Sequence, residues 1–297
     1  MHVFYDPAYN ATGVEWETTR KASEIARSLT ERPIDGVEIV SPTPCTRDEL
    51  VAVHDRRYVE AVFMGSPRDL AESNTIGWDE QLPAAVCASN GGVRDAALRA
   101  LGTRGIAGSL SSGLHHASYD TGAGYCTFNG LVVAARAALA HGARRVLVLD
   151  LDAHCGGGTA RLIDGLDGVE QVDVSVVSYD GYRSRPDAQL VMSDGPHYLS
   201  TIRRALDGID APREIDLVIY NAGMDPHGQA GGVDGIDEAV LADREALVFE
   251  WVTSHHIPTA WALAGGYTRG IDMAALVDLH RLTIHAAAAA AVASASV

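Results

Sequence analysis

The chain has 297 residues, 47% of them hydrophobic and 21% charged, with a net charge of −16. That length suits one large α/β domain with a substantial core. The charge excludes specific nucleic-acid binding, because phosphate contacts need a basic face.

In chain order, apolar runs rich in β-branched residues predict strands over residues 2–5, 36–40, 105–109, 145–152, 172–179, 217–221 and 259–264. Helical patterns fall between them, over residues 17–29, 82–101, 129–140, 196–209 and 236–255. Gly142 marks a helix C-terminus, Pro196 suits a helix first turn, and the Ala-rich tail from Ala286 reads as a terminal helix that frays. Alternating strands and helices predict an α/β fold, a single three-layer domain spanning 1–297, with a mostly parallel sheet covered by helices on both faces. The opening Met1-His-Val-Phe-Tyr-Asp6 lacks the charged and apolar regions of a signal peptide, and no run of about 18 uncharged apolar residues reads as a membrane span. A cytoplasmic protein without a membrane partner is expected. Four cysteines, Cys45, Cys87, Cys126 and Cys155, form no CxxC pair, so neither a zinc knuckle nor a disulfide framework is indicated.

In a parallel α/β sheet, functional residues gather at the carboxyl ends of strands. Polar residues pile up at those places: His115-His116, then Asp150, Asp152 and His154, then Ser178 and Asp180, then Asp225, then Gly265-Gly266-Tyr267. Asp150-Leu-Asp-Ala-His154 ends a buried apolar run, and strand alternation sends its three polar side chains to one side. Two carboxylates and an imidazole there need compensation, which a metal ion supplies. Asp152, His154 and Asp225 form a two-carboxylate, one-imidazole set with room for an open position, as catalytic zinc requires. The same donors accept Fe(II), Co(II) or Mn(II). Adjacent His115 and His116 offer one imidazole to move a proton and one to hold a water or oxyanion. Tyr267, after two glycines, can approach a substrate closely and donate to an oxyanion.

These residues carry a family resemblance. His115-His116-Ala117, Gly124-Tyr-Cys-Thr-Phe-Asn129, Asp150-Leu-Asp-Ala-His154 with Gly158-Thr159, Asn221-Ala-Gly-Met-Asp225 and Gly265-Gly-Tyr267 occur in one order along the chain. In them the chain resembles the zinc-dependent deacetylases of the histone deacetylase and acetylpolyamine amidohydrolase superfamily, whose arginase-like fold has a parallel sheet of about eight strands. The resemblance implies hydrolysis of an acylated amine by zinc-activated water. Asp152, His154 and Asp225 would bind the zinc, and His116 would act as general base and acid. His115, held by Asp150, would assist. Tyr267 would bind the carbonyl and the oxyanion. Gly124, Tyr125, Gly265 and Gly266 would line the substrate tunnel, and Asp150 with Ser178 would form a structural potassium site.

The chain departs from that family in four places, one of them Asp225-Pro-His-Gly-Gln-Ala-Gly-Gly232, which is shorter than the usual Asp-Pro-Leu-Gly segment. Cys155-Gly156-Gly157-Gly158 stands where His-Gly-Asn-Gly or His-Gly-Asp-Gly is usual, so Gly157 lacks the side chain expected to orient His116. Ser178-Tyr179-Asp180 replaces Ser-x-His, and the following segment lacks Phe-Pro, leaving Arg185 as the expected tunnel-wall residue. The −16 charge favours cationic amines such as acyl-lysine proteins or acylpolyamines, whereas Arg185 favours a small metabolite bearing a carboxylate or phosphate; the local clue carries more weight. Oligomeric state is left open. Two other readings are a catalytically impaired member that binds acyl ligands, motivated by Gly157, and an arginase-type ureohydrolase, which needs a second metal motif that the chain lacks.

Overall fold

A computed structural model describes residues 1–10 and 17–294. Its strands are β1 (His2–Phe4), β2 (Glu38–Val40), β3 (Ile106–Ser109), β4 (Val146–Asp150), β5 (Val169–Ser175), β6 (Ala188–Met192), β7 (Leu217–Asn221) and β8 (Thr259–Ala262). They form one eight-stranded sheet, ordered β2-β1-β3-β8-β7-β4-β5-β6, and every pairing is parallel. The helices are α1 (Glu17–Glu31), α2 (Arg47–Val51), α3 (Arg56–Met64), α4 (Arg68–Ala71), α5 (Leu82–Thr103), α6 (Gly130–Ala140), α7 (Gly157–Ile163), α8 (Tyr198–Asp207), α9 (Glu238–Ser254) and α10 (Met273–Ser294).

β4 shows why the sheet is sandwiched. All five of its residues are buried, and alternate side chains enter different cores. Val146 and Val148 pack with Ala97 and Val132 of α5 and α6, while Leu147 and Leu149 pack with Ile202 and Val248 of α8 and α9. Such a strand reads as a continuous apolar run, so it was legible in the sequence. β6 was not expected: it is a half-exposed edge strand without an apolar run. β5 ends at Ser175, so residues 176–179, placed in a strand by the sequence pattern, belong to the loop that follows. α2, α3 and α4 were also unassigned; each is short.

α10 starts well before Ala286, at Met273; residues 295–297 lie outside the described residues. Contrary to the sequence expectation, its stretch 273–293 has the length and hydropathy of a bilayer span, even with Asp278 and Arg281 in it. Half of that stretch is buried, and α10 packs on α1, α9 and β3, as a core helix does.

Strand pairing also fixes close contacts between faces. Gly108 of β3 lies opposite Trp261 of β8, and a Cβ on Gly108 would stand 1.9 Å from the indole. Trp261 is fully buried and has nowhere to retreat. Gly108→Ala is therefore expected to cost about 1–3 kcal/mol of stability by overpacking, read as a lower denaturant midpoint in urea unfolding.

Candidate active site

The carboxyl ends of β4, β5, β7 and β8 open onto one crevice. β4 stops at Asp150, and the turn beyond it carries Asp152 and His154. The turn after β7 carries Asp225. Asp152, His154 and Asp225 offer ligand atoms that all lie within 4.8 Å of one another. His154 Nδ1 is 3.2 Å from Asp152 Oδ1 and 3.1 Å from Asp225 Oδ2. Backbone amides hold the carboxylates in place: His154 N and Gly265 N donate to Asp152 at 3.0 and 2.7 Å, and Ala153 N donates to Asp225 at 3.0 Å. From α9, Arg244 donates to the carbonyls of Leu151 and Gly223, clamping the two ligand turns side by side. Gly265 must be glycine, since a Cβ there would stand 2.2 Å from Asp225 Oδ2. Burial and the neighbouring Asp152 push the Asp225 carboxyl up from its ordinary range. Two converging, buried carboxylates with an imidazole nitrogen between them suit a divalent cation.

Above this set sit the two histidines of the loop after β3. His115 Nδ1 donates to Asp150 Oδ2 at 2.8 Å, and Asp150 Oδ1 accepts from Asn221 Nδ2 at 2.9 Å. Burial opposes charge on His115, but Asp150 and Asp152 outweigh it and hold its pKa up at about 10. His116 behaves in the opposite way: burial and the charge on His115 bring its pKa down to about 4. Its Nδ1 lies 3.1 Å from Asp180 Oδ2. Asn129, the N-cap of α6, anchors the loop by donating from Nδ2 to the Ala117 carbonyl at 3.2 Å and to Thr159 Oγ1 at 3.0 Å.

A cavity of about 310 Å³ leads outward, lined in part by His116, His154, Tyr125, Tyr179, Tyr267 and Arg269. Gly124 presses against the His116 ring, and with φ +49° it makes the turn that brings Tyr125 to the wall. Tyr179 stands edge-on to His116, with ring centroids 4.9 Å apart, and edge-on to His154 at 6.0 Å. Tyr267 follows the left-handed Ala264 and its two glycines; burial and the charges of Asp225 and Asp152 keep its hydroxyl protonated. Gly265 lines the inner chamber with Tyr267, whereas Gly266 packs against His280 behind the wall.

Residues 15–184, more than half of the chain, match the histone deacetylase domain family. The chain belongs to that family. An uncharacterized protein of Picosynechococcus sp. is 31% identical over 265 residues, covering 86% of this chain and 87% of that protein. Histone deacetylase 2 of Arabidopsis thaliana is 30% identical over 56% of this chain and 45% of its own length. The acetoin utilization protein AcuC of Staphylococcus aureus matches at 30% over 41% of this chain and 34% of its own length. In architecture, the HDA15 HD domain covers the whole chain with a TM-score of 0.78 at 20% identity, which shows a shared fold.

Within this deacetylase-family domain, the structure brings Asp150, Asp152, His154, Asp225, His115, His116, Gly124, Tyr125, Gly265 and Tyr267 around one crevice. Three expectations are corrected, the first being Gly266, which lies against His280 instead of lining the cavity. Ser178 does not join Asp150: β5 ends too early, Ser178 is exposed, and the buried serine is Ser175, bonded to Asp173 beside Asp150. Arg185 does not face the cavity; it donates to the Ala160 carbonyl and pairs with Asp187 at 2.8 Å. Arg269, Arg161 and Arg244 carry no motif that marks them, and Tyr179 occupies the unspecified middle position of Ser178-Tyr179-Asp180. Cys155, exposed to question by its place next to His154, is fully buried like its three counterparts. Native protein should therefore react with a thiol reagent at none of its four cysteines, and with all four once unfolded in guanidinium, as counted by Ellman titration.

Proposed function

We propose that this chain is a metal-dependent amidohydrolase that removes an acyl group, acetyl in the simplest case, from an amine. The observation that carries this reading is the stacking of a metal-ligand set, a differently charged histidine pair and a protonated tyrosine around one buried point. A divalent ion bound by Asp152, His154 and Asp225, zinc by our reading, with Fe(II) or Co(II) fitting the same donors, supplies polarisation of the amide carbonyl and activation of water.

The chain's own groups divide the remaining work. His116 is neutral at pH 7, and its Nδ1–H points at Asp180, which leaves Nε2 free to take a proton from the attacking water. The same Nε2 then returns that proton to the leaving amine. His115 stays charged beside Asp150 and favours negative charge at the reacting centre. Tyr267 donates its hydroxyl to the oxyanion. The impaired-member reading was motivated by a missing partner for His116, and Asp180 supplies one. Among the described residues a single metal-ligand group is present, which gives the two-metal ureohydrolase reading no support.

The cavity mouth bears on the substrate. Arg269 stands over the Tyr267 ring at 5.4 Å, and among the described residues no carboxylate side chain lines this outer cavity. The local charge thus opposes the net charge, favouring an acylated amine with a carboxylate over an acylpolyamine.

Asp152→Ala should eliminate both bound zinc, measured by atomic emission, and turnover of acetylated lysine; full activity in a metal-free preparation would overturn the reading. Tyr267→Phe should lower kcat by roughly 100- to 1000-fold, as loss of one oxyanion donor does. Arg269→Gln should raise KM roughly fivefold for an acetylated amine bearing a carboxylate, since a partly exposed ion pair is worth at most about 1 kcal/mol. It should leave KM for the uncharged counterpart unchanged.

A further inference from the structure

The general base of the proposed reaction is oriented by a group delivered from the loop after β5. His116 Nδ1 faces Asp180 Oδ2 at 3.1 Å, and the same oxygen accepts from Gly158 N at 3.0 Å. The other carboxylate oxygen accepts from Arg161 Nη2 at 2.7 Å, while Arg161 Nε donates to Ser118 Oγ at 3.0 Å. Ser118 lies two residues beyond His116. Arg161 of α7 therefore ties the histidine loop to the loop after β5 through Asp180. The Asp180 side chain is only 12% exposed. Burial opposes its ionisation, yet His116 and Arg161 keep the carboxyl below its usual range.

The start of α7 is shaped to admit this carboxylate. A Cβ on Gly157 would stand 2.2 Å from the Asp180 carbonyl oxygen and 2.5 Å from Asp180 Oδ1. The first of these atoms is backbone, so no rotamer change relieves the clash. Asp180 itself has φ +59°, a left-handed conformation that Asp tolerates better than most residues. A side chain at 157 and this position of Asp180 are mutually exclusive.

We propose that Asp180 is the positioning residue for His116, and that Gly157 lacks a side chain so that the loop after β5 can deliver it. The proposal rests on the reading of His116 as the proton carrier. Asp180 touches no reacting atom; it fixes the tautomer and the ring plane of His116, so its loss lowers kcat while leaving substrate binding intact.

The test uses the zinc-loaded full chain and an acetylated lysine peptide. In Asp180→Ala, kcat should fall about 10- to 100-fold, with KM within about twofold and metal content unchanged. Asp180→Asn should recover most of that loss, because its amide oxygen still accepts from His116 Nδ1–H. Gly157→Ala should behave like Asp180→Ala, because its methyl group displaces the Asp180 backbone. Imidazole ¹⁵N–¹H correlation spectra give a readout separate from turnover: the His116 proton sits on Nδ1 in the native chain and loses that preference in Asp180→Ala. Native kcat in Asp180→Ala, equal losses in the Ala and Asn variants, or an unchanged His116 tautomer overturns the proposal. A native chain without turnover whose His116 tautomer still responds to Asp180→Ala overturns the hydrolase reading and supports the positioning role.

Discussion

Buried negative charge at the carboxyl edge of the sheet is the constraint that organises this molecule. Asp150, Asp152, Asp173 and Asp225 are each 2% exposed or less, crowded around the ends of three adjacent strands. An uncompensated buried carboxylate costs several kcal/mol, so each must find partners. Asp150 takes His115 and Asn221. Asp173 takes Gly156 N at 2.7 Å and Ser175, and burial with Asp150 beside it pushes its carboxyl well up. Asp152 and Asp225 are left with amide donors, His154 and, for Asp152, the His115 ring with its Nε2 at 3.6 Å, and their converging oxygens suit a cation. The loops are folded by these demands as much as by apolar burial.

Family membership and site detail sit at different levels of the structure. The sheet and its helices coincide with the HDA15 HD domain at 20% identity, because a parallel sheet needs apolar strands and covering helices, and many sequences meet that need. The detail of the site lies in the rim loops: Tyr179 forms part of the cavity wall, Arg269 stands at its mouth, and the partner of His116 comes from the loop after β5.

The parts most legible in the sequence were those where burial leaves a periodic mark. β4 and β7, buried along their whole length, read as apolar runs, and the polar residues directly after them marked the crevice. The half-exposed β6 and the short α2 to α4 carry no such mark. The end of β5 was misplaced because Val176 and Val177 continue its apolar run after sheet pairing has stopped. The pairing of Ser178 with Asp150 came from the family resemblance, and the early end of β5 leaves that serine exposed. The misplaced strand end hid the use of Tyr179 and Asp180, which depends on a left-handed residue in a loop, and composition cannot announce that. Arg244 sits within an ordinary helical pattern, where nothing distinguishes a clamp from a solvated charge.

Tyr179 and Asp180 are neighbours on one turn, the first forming a wall of the cavity and the second holding the histidine. Changes that reshape this turn to admit a wider acyl chain therefore also move the group that sets the proton carrier. Selectivity and rate are mechanically linked through that turn, because one short loop both shapes the wall and orients the ring of His116.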